Sequence, residues 1–453
     1  MKQGLKYLVL LNIIILLMFM NVFAQAAIPM LRVGILLDCK TVTLNSEKGY
    51  HLYEIPSMKK IVSQQKNQPC IVSAETAGVK INSKLYNNIN KGIKIIPEAG
   101  GILEIEGRKY RGELEIIADH GLLDIINVIA IEQYLYGVLK KEISPKWPEE
   151  VLKAQAIAAR TFALSNINKY IERGYNICAT TNSQAYGGVY HEDPATNRAV
   201  DETKGMIITY KDKPINAVYH SDSGGYTENS ENVWGGYEPY LRSVPSSYEE
   251  AVSPPNHFWD YSLTEQELLT KLTREGYQLT HIDNIVIGEK TEAGRIKSID
   301  IVNGNHKITL KTNDFRLLIG PTLIRSSLFT IHKIGESIEQ NKEILHQQEK
   351  KSEVTQKSVS DFLKEERDFS ISELISLLNR QREKEPEKVS LPEVSENKES
   401  GEVVVVYTLK GSGSGHGVGL SQWGAYGMAL QGYNYEEILK YYYQGVQLKK
   451  IYE

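Results

Sequence analysis

Two prolines that separate two helix-like patterns constrain this chain of 453 residues more than any other feature. Before them, apolar residues recur at steps of three and four, which predicts an amphipathic helix running to about Lys141. Those residues are Ile131, Tyr134, Leu135, Val138 and Leu139. Pro145 disfavours the helical conformation for the residue before it, and Pro148 fits the first position of a new helix. The pattern therefore predicts a short turn that holds Glu142 at the end of the first helix.

The second helix is predicted to run from near Trp147 to Arg173, with Gly174 as its stop signal. Small residues recur along it and indicate a buried helix that another backbone approaches closely; they are Ala154, Ala156, Ala158, Ala159 and Ala163. Arg160 is the exception, because a buried arginine needs a carboxylate or another anionic partner. Glu142 is a candidate partner, and the simpler interpretation is a structural ion pair beside a capping carboxylate.

At these residues the chain resembles a known family. The run EQYLYGVLKKEISPKWPEEVLKAQAIAARTFAL is similar to the signature of the stage II sporulation protein D and amidase-enhancer family. Further stretches match downstream, among them AVYHSDSGG and GSGHGVGLSQWGAYGMALQGY, so the resemblance extends from about Leu31 to Tyr452. It implies a lytic transglycosylase of peptidoglycan glycan strands with Glu142 as the catalytic acid. The alternative that the family offers is a non-catalytic, glycan-binding enhancer of a cell-wall amidase.

One carboxylate suffices for the implied reaction, although ordinary glycosidases need two. The C6 hydroxyl of the N-acetylmuramoyl residue attacks its own anomeric carbon, so Glu142 donates a proton to the glycosidic oxygen and then accepts one from that hydroxyl. This role requires a raised pKa, and we expect an apolar, partly closed site that includes Trp147 and Tyr134. Direct pairing with Arg160 would depress that pKa, so Arg160 is expected to contact a carboxylate or acetamide of the substrate instead.

Other candidate substrate-binding residues lie in polar segments. Gln184 and Tyr186 follow the long helix, where hydrogen bonds within the loop are an equally good explanation. Ser223 lies in a glycine-containing loop suited to a glycan. Tyr240 follows Trp234 and Tyr237 in a run of aromatic faces that suit sugar rings, and it is the residue expected to orient the catalytic acid.

The glycine-rich stretch near the C-terminus is expected to form a nest of amides facing an anion or hydroxyl. His416 and Gln422 are predicted to project from it toward substrate, although a structural histidine is an equally good interpretation. A nucleotide-binding loop is disfavoured, because these glycines lie outside any βαβ pattern.

No metal or other cofactor is predicted. Some relatives bind zinc in the segment after the long helix. This chain keeps Cys178, but Asn182 and Ser183 stand where the later ligands would be expected. One thiolate is not enough, because zinc needs three or four protein ligands. Cys39 and Cys70 either form a disulfide or are buried thiols. A net charge of -4 argues against a nucleic-acid partner.

The predicted fold class is α+β, a mixed, strand-rich, multi-lobed fold around a central helical catalytic core. Residues 1–27 read as a signal peptide or membrane anchor, so the protein is expected to be exported and to act outside the cytoplasm, anchored or wall-associated. Residues 28–120 form a strand-rich region, 121–334 the core, 335–402 a charged insertion and 403–453 the last part of the core. Beyond glycan strands, the resemblance implies a cell-wall amidase and membrane sporulation proteins as candidate partners.

Overall fold

The computed structural model describes residues 27–337 and 403–453, apart from residues 77, 88, 90 and 91. Helices and strands alternate irregularly along these ranges and form several separate sheets, which confirms the predicted α+β class. The helices are α1 (Ile131–Glu142), α2 (Glu149–Ser165), α3 (Pro194–Glu202), α4 (Ser230–Trp234), α5 (Glu265–Arg274), α6 (Thr312–Ile319), α7 (Gln422–Leu430) and α8 (Tyr435–Tyr442). The predicted signal or anchor segment lies outside the described residues. Among the helices described, none combines the length and apolar character that a membrane span requires.

The N-terminal region is built from two sheets. Its strands are β1 (Met30–Cys39), β2 (Thr41–Ser46), β3 (Tyr50–Glu54), β4 (Lys60–Gln64), β5 (Cys70–Glu75), β6 (Gly78–Ile81), β7 (Lys84–Tyr86), β8 (Ile93–Pro97), β9 (Leu103–Ile105), β10 (Arg108–Tyr110), β11 (Glu113–Asp119) and β12 (Leu122–Ala130). A seven-stranded sheet has the order β13-β1-β12-β11-β8-β3-β4, where β13 is Ile177–Cys178, and a six-stranded sheet has the order β10-β9-β2-β5-β6-β7. All three cysteines are free, so Cys39 and Cys70 are not bridged.

The last strand of this region sets the start of α1. Strand β12 is antiparallel to β1 up to the pair Met30 and Ala130, and α1 begins at the next residue. The helix ends at Glu142, because the following residue, Ile143, is extended with φ -140°. The predicted helix–turn–helix arrangement is confirmed, with a turn that leads through Pro148 into α2.

Helix α2 is shared between two hydrophobic cores. One face, which includes Ala156, Ala159 and Ala163, packs with α1 on the N-terminal sheets. The opposite face, which includes Ala154 and Ala158, packs against strands and helices from the C-terminal part of the chain. These alanines leave room for neighbours on both sides, so α2 is the central helix of the molecule.

Helix α2 is shorter than predicted. It ends at Ser165, and a separate 3-10 turn, Ile171–Arg173, precedes Gly174. The Asn166 side chain donates to the Phe162 carbonyl at 3.0 Å, and the Ser165 hydroxyl donates to the same carbonyl at 3.0 Å. Side chains of this type compete with helical hydrogen bonds, which explains the early end.

Short strands complete the core. They are β14 (Met206–Tyr210), β15 (Lys213–Pro214), β16 (Tyr219–His220), β23 (Leu420–Ser421) and β24 (Gln447–Lys450). Strand β16 is parallel to β23, with Tyr219 opposite Leu420 and His220 opposite Ser421. Strands β14 and β15 form a hairpin whose turn residues, Lys211 and Asp212, have positive φ angles of 49° and 61°. Two segments far apart in the chain therefore meet beside α2.

A third lobe has its own hydrophobic core. Its strands are β17 (Phe258–Thr264), β18 (Asn284–Ile287), β19 (Ser298–Asn303), β20 (His306–Lys311), β21 (Phe329–Ser337) and β22 (Val403–Ser412). Strands β21 and β22 are antiparallel up to the pair Ser337 and Val403. Residues 335–337 of the predicted insertion thus continue a strand, and the rest of the insertion lies outside the described residues.

Candidate active site

Glu142 lies at the C-terminal end of α1 and is partly exposed. Its Oε1 accepts a hydrogen bond from the backbone N–H of Ala185 at 3.3 Å. The hydroxyl of Tyr219 faces the same carboxyl group and lowers its pKa. The acid is therefore held by a loop that follows α2 and by strand β16, and it keeps a route to solvent.

A chain of side-chain hydrogen bonds fixes these contacts. The Tyr134 hydroxyl donates to Gln184 Oε1 at 3.2 Å. Gln184 Nε2 donates to the Tyr219 hydroxyl at 3.1 Å and to the Ala159 carbonyl at 3.2 Å. Because the Tyr219 oxygen accepts from Gln184, its own proton is available to the Glu142 carboxyl group. Helices α1 and α2 thus position the acid through one buried amide.

Burial raises the pKa of Glu142 to about 7, against hydrogen bonds from Ala185 and Tyr219 and the nearby charge of Lys141, which lower it. The carboxyl group also lies at the negative end of the α1 dipole, where its charged form is disfavoured. Within the described ranges, no second carboxylate contributes to this shift. The expected raised pKa is confirmed, and near neutral pH the group is poised both to donate and to accept a proton.

Arg160 has a different role from the one predicted. Its side chain is fully buried, and its guanidinium donates to both carboxylate oxygens of Glu132, at 3.0 and 2.7 Å. The carbonyls of Val200 and Met206 accept from it at 3.1 Å each. The Tyr452 hydroxyl donates to Glu132 at 2.7 Å. The predicted contact of Arg160 with substrate is therefore corrected, because its donors are directed at internal acceptors.

Gln184 and Tyr186 are also internal. Gln184 is 2% exposed, and its amide is engaged by the hydrogen bonds described above, so it positions Tyr219 rather than touching substrate. Tyr186 is 4% exposed and donates to Asn127 Oδ1 at 2.8 Å. Its ring packs over Gly137, where an added Cβ would come within 2.6 Å of it. For both residues the alternative interpretation, hydrogen bonds that hold the fold, is the correct one.

Tyr240 does not orient the catalytic acid. It is buried, its hydroxyl accepts from the backbone N–H of Asn216 at 3.2 Å, and its ring lies 5.6 Å from that of Tyr210. Tyr219 is the tyrosine whose hydroxyl faces the Glu142 carboxyl group. The sequence did not predict this position of Tyr219. It depends on the two-residue pairing of β16 with β23, which sequence periodicity does not reveal.

The glycine-rich turn does not present an open nest of amides. The N–H groups of Gly413, Ser414 and Gly415 donate to the carbonyls of His257, Asp222 and Arg325 at 2.8, 2.7 and 2.9 Å. The turn is thus held by backbone hydrogen bonds to three other segments. The prediction of an anion-facing nest is corrected for these three amides.

His416 is partly exposed and stacks between two rings. Its ring centroid lies 5.5 Å from that of His220 and 5.0 Å from that of Trp234. Nδ1 accepts from the Val418 N–H at 3.0 Å, and burial, together with the charge of Arg295, lowers its pKa to about 4. The side chain is therefore neutral at physiological pH, and a direct role in binding substrate stays a prediction.

Ser223 belongs to a buried cluster around Glu249. It is fully buried, and both its N–H and its hydroxyl donate to that carboxylate at 2.8 Å, so its predicted contact with substrate is corrected. Within the described ranges, Asp222, Glu249 and His257 form the one group whose ligand atoms, within 4.8 Å of one another, lie close enough for a metal ion. Further donors to Glu249 are the N–H of Gly225 and the hydroxyls of Ser246 and Ser421. These donors occupy the acceptor sites of the carboxylate.

Cys178, the cysteine that remains where some relatives bind zinc, lies beside hydroxyl groups. Its sulfur is 3.2 Å from the Thr180 oxygen, and its thiol donates to the Ser183 hydroxyl oxygen at 3.5 Å. The proposed absence of zinc stays a prediction.

An aromatic cluster that includes Trp147, five residues after Glu142, was not predicted as a unit. Ring centroids of Trp147 and Trp423 are 4.8 Å apart, and Tyr426 lies 5.1 Å from the first and 5.5 Å from the second. All three are partly exposed. Trp147 belongs to the turn after Glu142, while the other two come from α7. The aromatic residues of the SQWGAY stretch were the available signal, but their partner is far away in the chain.

Comparison with known proteins gives the family. A family model described as "Stage II sporulation protein" matches residues 119–210. An uncharacterized protein of Brachyspira hyodysenteriae is 30% identical over 430 residues, which span 94% of this chain and 95% of that protein. The stage II sporulation protein D of Bacillus subtilis is 28% identical over 339 residues, 71% of this chain and 75% of that protein. The amidase enhancer of Bacillus subtilis is 28% identical over 90% of this chain, which spans 55% of the enhancer.

The chain belongs to the stage II sporulation protein D family, as the motifs around Glu142 predicted.

Proposed function

We propose that this protein is a lytic transglycosylase that cleaves the glycan strands of peptidoglycan and leaves 1,6-anhydro-N-acetylmuramoyl ends. The observation that carries the proposal is a partly exposed carboxyl group, Glu142, whose pKa of about 7 has no second carboxylate among its causes in the described residues. A hydrolase of the ordinary kind needs two acids. An intramolecular reaction needs one, provided that it is protonated when substrate binds.

The reaction is balanced by two proton transfers at Glu142. Protonated Glu142 donates its proton to the glycosidic oxygen while the bond to the anomeric carbon breaks, and this proton leaves with the departing sugar. The C6 hydroxyl of the same muramoyl residue then forms the new bond to that carbon, and the proton of that hydroxyl passes to Glu142. Tyr219 and the Ala185 N–H stabilise the transient carboxylate, because both donate hydrogen bonds to it. No water is consumed, and the acid is regenerated.

The products test the proposal. Purified glycan strands are incubated with the full chain, and the new ends are identified by mass spectrometry. Ends one water lighter than reducing muramic acid are expected, and they are expected to be absent with Glu142→Gln. Reducing ends would instead indicate a hydrolase, and intact strands would remove the enzymatic proposal.

The second candidate is a non-catalytic enhancer of a cell-wall amidase. It is favoured by the similarity to the Bacillus subtilis amidase enhancer over 90% of this chain. Under this alternative, glycan strands remain intact, and amide cleavage by an added wall amidase becomes faster. Either function requires a protein outside the cytoplasm with access to the wall, and its role is either in sporulation or in wall remodelling.

A further inference from the structure

The aromatic cluster of Trp147, Trp423 and Tyr426 is attached to the same elements as the catalytic acid. Trp147 follows Glu142 by five residues across the proline-containing turn. The backbone N–H of Trp423 donates to the Ser221 carbonyl at 3.0 Å, two residues beyond Tyr219, whose hydroxyl reaches Glu142. Trp147 therefore lies in the turn that directly follows the acid, and Trp423 is bonded to the segment that carries Tyr219.

Core packing does not account for Trp423. Trp147 is part of the core packing, because it contacts the buried residues Ile143 and Leu152. Trp423 belongs to none of the hydrophobic clusters formed by the described residues, and its ring contacts are with Trp147 and Tyr426. A large, partly exposed indole that rests on other aromatic rings offers a flat apolar face of the kind on which a sugar ring stacks.

Two side-chain amides are hydrogen-bonded to each other beside Trp423 in the chain. Gln422, the neighbour of Trp423, is 7% exposed and donates to Gln155 Oε1 at 3.4 Å. Gln155 is 1% exposed, and its Nε2 is a buried donor with no partner in the described part of the chain. Gln155 precedes Ala159 by one helical turn, about 6 Å along α2. The Ala159 carbonyl accepts from Gln184, so this unused donor lies one turn from the Gln184–Tyr219–Glu142 chain.

A buried donor without a partner is costly, and sites that keep one do so for a ligand or a water molecule. The sugars of peptidoglycan are neutral rings that carry an acetamido group. An aromatic face beside two side-chain amides matches both features, because the ring stacks while the acetamide exchanges hydrogen bonds with glutamine.

We propose that Trp147, Trp423 and Tyr426, together with Gln155 and Gln422, form a binding subsite for one N-acetylated sugar of the glycan next to the cleaved bond. This inference rests on the proposed function for its substrate class. Trp423 supplies the stacking face, Gln155 Nε2 donates to the acetamido carbonyl, and Gln422 contacts the same acetamido group while it holds Gln155 through Oε1. The subsite selects N-acetylated strands independently of the chemistry at Glu142.

Binding to two matched oligosaccharides tests the subsite. The full chain carrying Glu142→Gln is titrated by calorimetry with the β-1,4-linked tetramer of N-acetylglucosamine and with the β-1,4-linked tetramer of glucose, which lacks the acetamido group. This parent is expected to bind the N-acetylated tetramer about tenfold or more tightly. Adding Trp423→Ala is expected to weaken both complexes by about tenfold, and Gln422→Leu is expected to remove most of the preference.

Two further variants guard against loss of folding. Trp423→Phe keeps an aromatic face and is expected to recover part of the affinity. Gln155→Leu removes the unpartnered amide and is expected to reduce the preference with an unchanged melting temperature. Phe258→Ala, at an aromatic residue that is 80% exposed outside the cluster, is the matched control and is expected to bind as the parent does.

The inference is overturned if the parent binds neither tetramer, if both Trp423 variants bind as the parent does, or if Gln422→Leu keeps the full preference. The two proposals can fail separately. If the protein binds as expected but yields no anhydro ends, the subsite is supported and the transglycosylase activity is contradicted. If it yields anhydro ends while Trp423→Ala binds normally, the activity is supported and the subsite is contradicted.

Discussion

The two ends of helix α1 each carry a glutamate, and the two carboxyl groups differ in burial and in their hydrogen-bond partners. Glu132, in the first turn, is buried against the Arg160 guanidinium, and the Gly205 N–H and Tyr452 hydroxyl also donate to it. Glu142, at the last residue, is partly exposed and meets one backbone N–H and one phenol. An acid at the start of a helix is favoured by the dipole, whereas an acid at its end is not.

The contrast lies in how completely each carboxyl group is compensated. A guanidinium and hydrogen bonds surround Glu132, which holds three segments together. Partial compensation leaves Glu142 with a raised pKa and a proton to give. Arg160, which lies on the neighbouring helix, pairs with Glu132 at the start of α1 and not with Glu142 at its end. Each of the following experiments tests one side of this division.

The largest effect is expected from removing the ionisable group at each end in turn. Glu142→Gln is expected to lower the rate of glycan cleavage by about a thousandfold, because general acid–base catalysis contributes factors of about 10² to 10⁴. Glu132→Gln is expected to leave the rate per folded molecule close to that of the parent. The measurement is the initial rate of anhydro-end formation, normalised to the folded fraction from circular dichroism. Equal losses in both variants would contradict the division.

The ion pair between Arg160 and Glu132 is expected to make a large contribution to the free energy of unfolding. Arg160→Met leaves the Glu132 carboxylate buried without its cation, which is expected to lower the free energy of unfolding by about 3–5 kcal/mol. Adding Glu132→Leu to Arg160→Met removes the uncompensated charge and is expected to recover a large part of the loss. Urea denaturation of the three proteins measures both effects. A loss below about 1 kcal/mol in the single variant would show that the pair is dispensable.

The reactive end is expected to destabilise the fold at high pH. In the folded state Glu142 holds its proton up to about pH 7, whereas its ordinary pKa is 4.5, so the folded state binds more protons between these values. The free energy of unfolding therefore falls as pH rises through this window, by up to about 3 kcal/mol.

Glu142→Gln lacks this decline, so it is expected to be more stable than the parent at pH 8 and similar to it at pH 4. Urea midpoints at both pH values provide the measurement, and Glu172→Gln, at an exposed position, is the control. A variant that gains nothing at pH 8 would mean that Glu142 is already charged in the folded protein well below neutrality.

The smallest effect is expected at Tyr219. Its hydrogen bond lowers the pKa of Glu142, so Tyr219→Phe is expected to raise that pKa further and shift the high-pH decline of activity upward by up to about one unit. The rate at the optimum is expected to fall by about tenfold, because the transient carboxylate loses a donor. The pH–rate profile separates this positioning role from a structural one. Tyr240→Phe, which removes a hydroxyl remote from the acid, is the matched control.

The sequence predicted the local part of this arrangement and missed the long-range part. Apolar spacing and two prolines were sufficient for α1, the turn and the position of Glu142, because each depends on neighbouring residues. The family motif supplied its expected role. The partner of Arg160 was missed, since the guanidinium meets an acid 28 residues away and a tyrosine 292 residues away (160 to 452) that completes the cluster.

The same limit explains the candidate binding residues. Glutamine, serine and tyrosine in loops resemble ligand-binding residues in sequence, but Gln184, Ser223 and Tyr240 each satisfy internal hydrogen bonds. Their burial is decided by which segments pack on them. Trp147 and Trp423 meet across 276 positions of sequence (147 to 423), so their stacking was visible only in the folded chain.

The strand pair that ends at Ser337 and Val403 has a consequence for how the chain tolerates change. Because the two strand ends lie side by side, whatever joins them departs from and returns to a single point at the margin of the third lobe. The free energy of loop closure grows slowly with loop length, so a longer connection between these two strand ends is expected to cost little stability. A tag inserted there enters at the third lobe, whereas Glu142 belongs to α1.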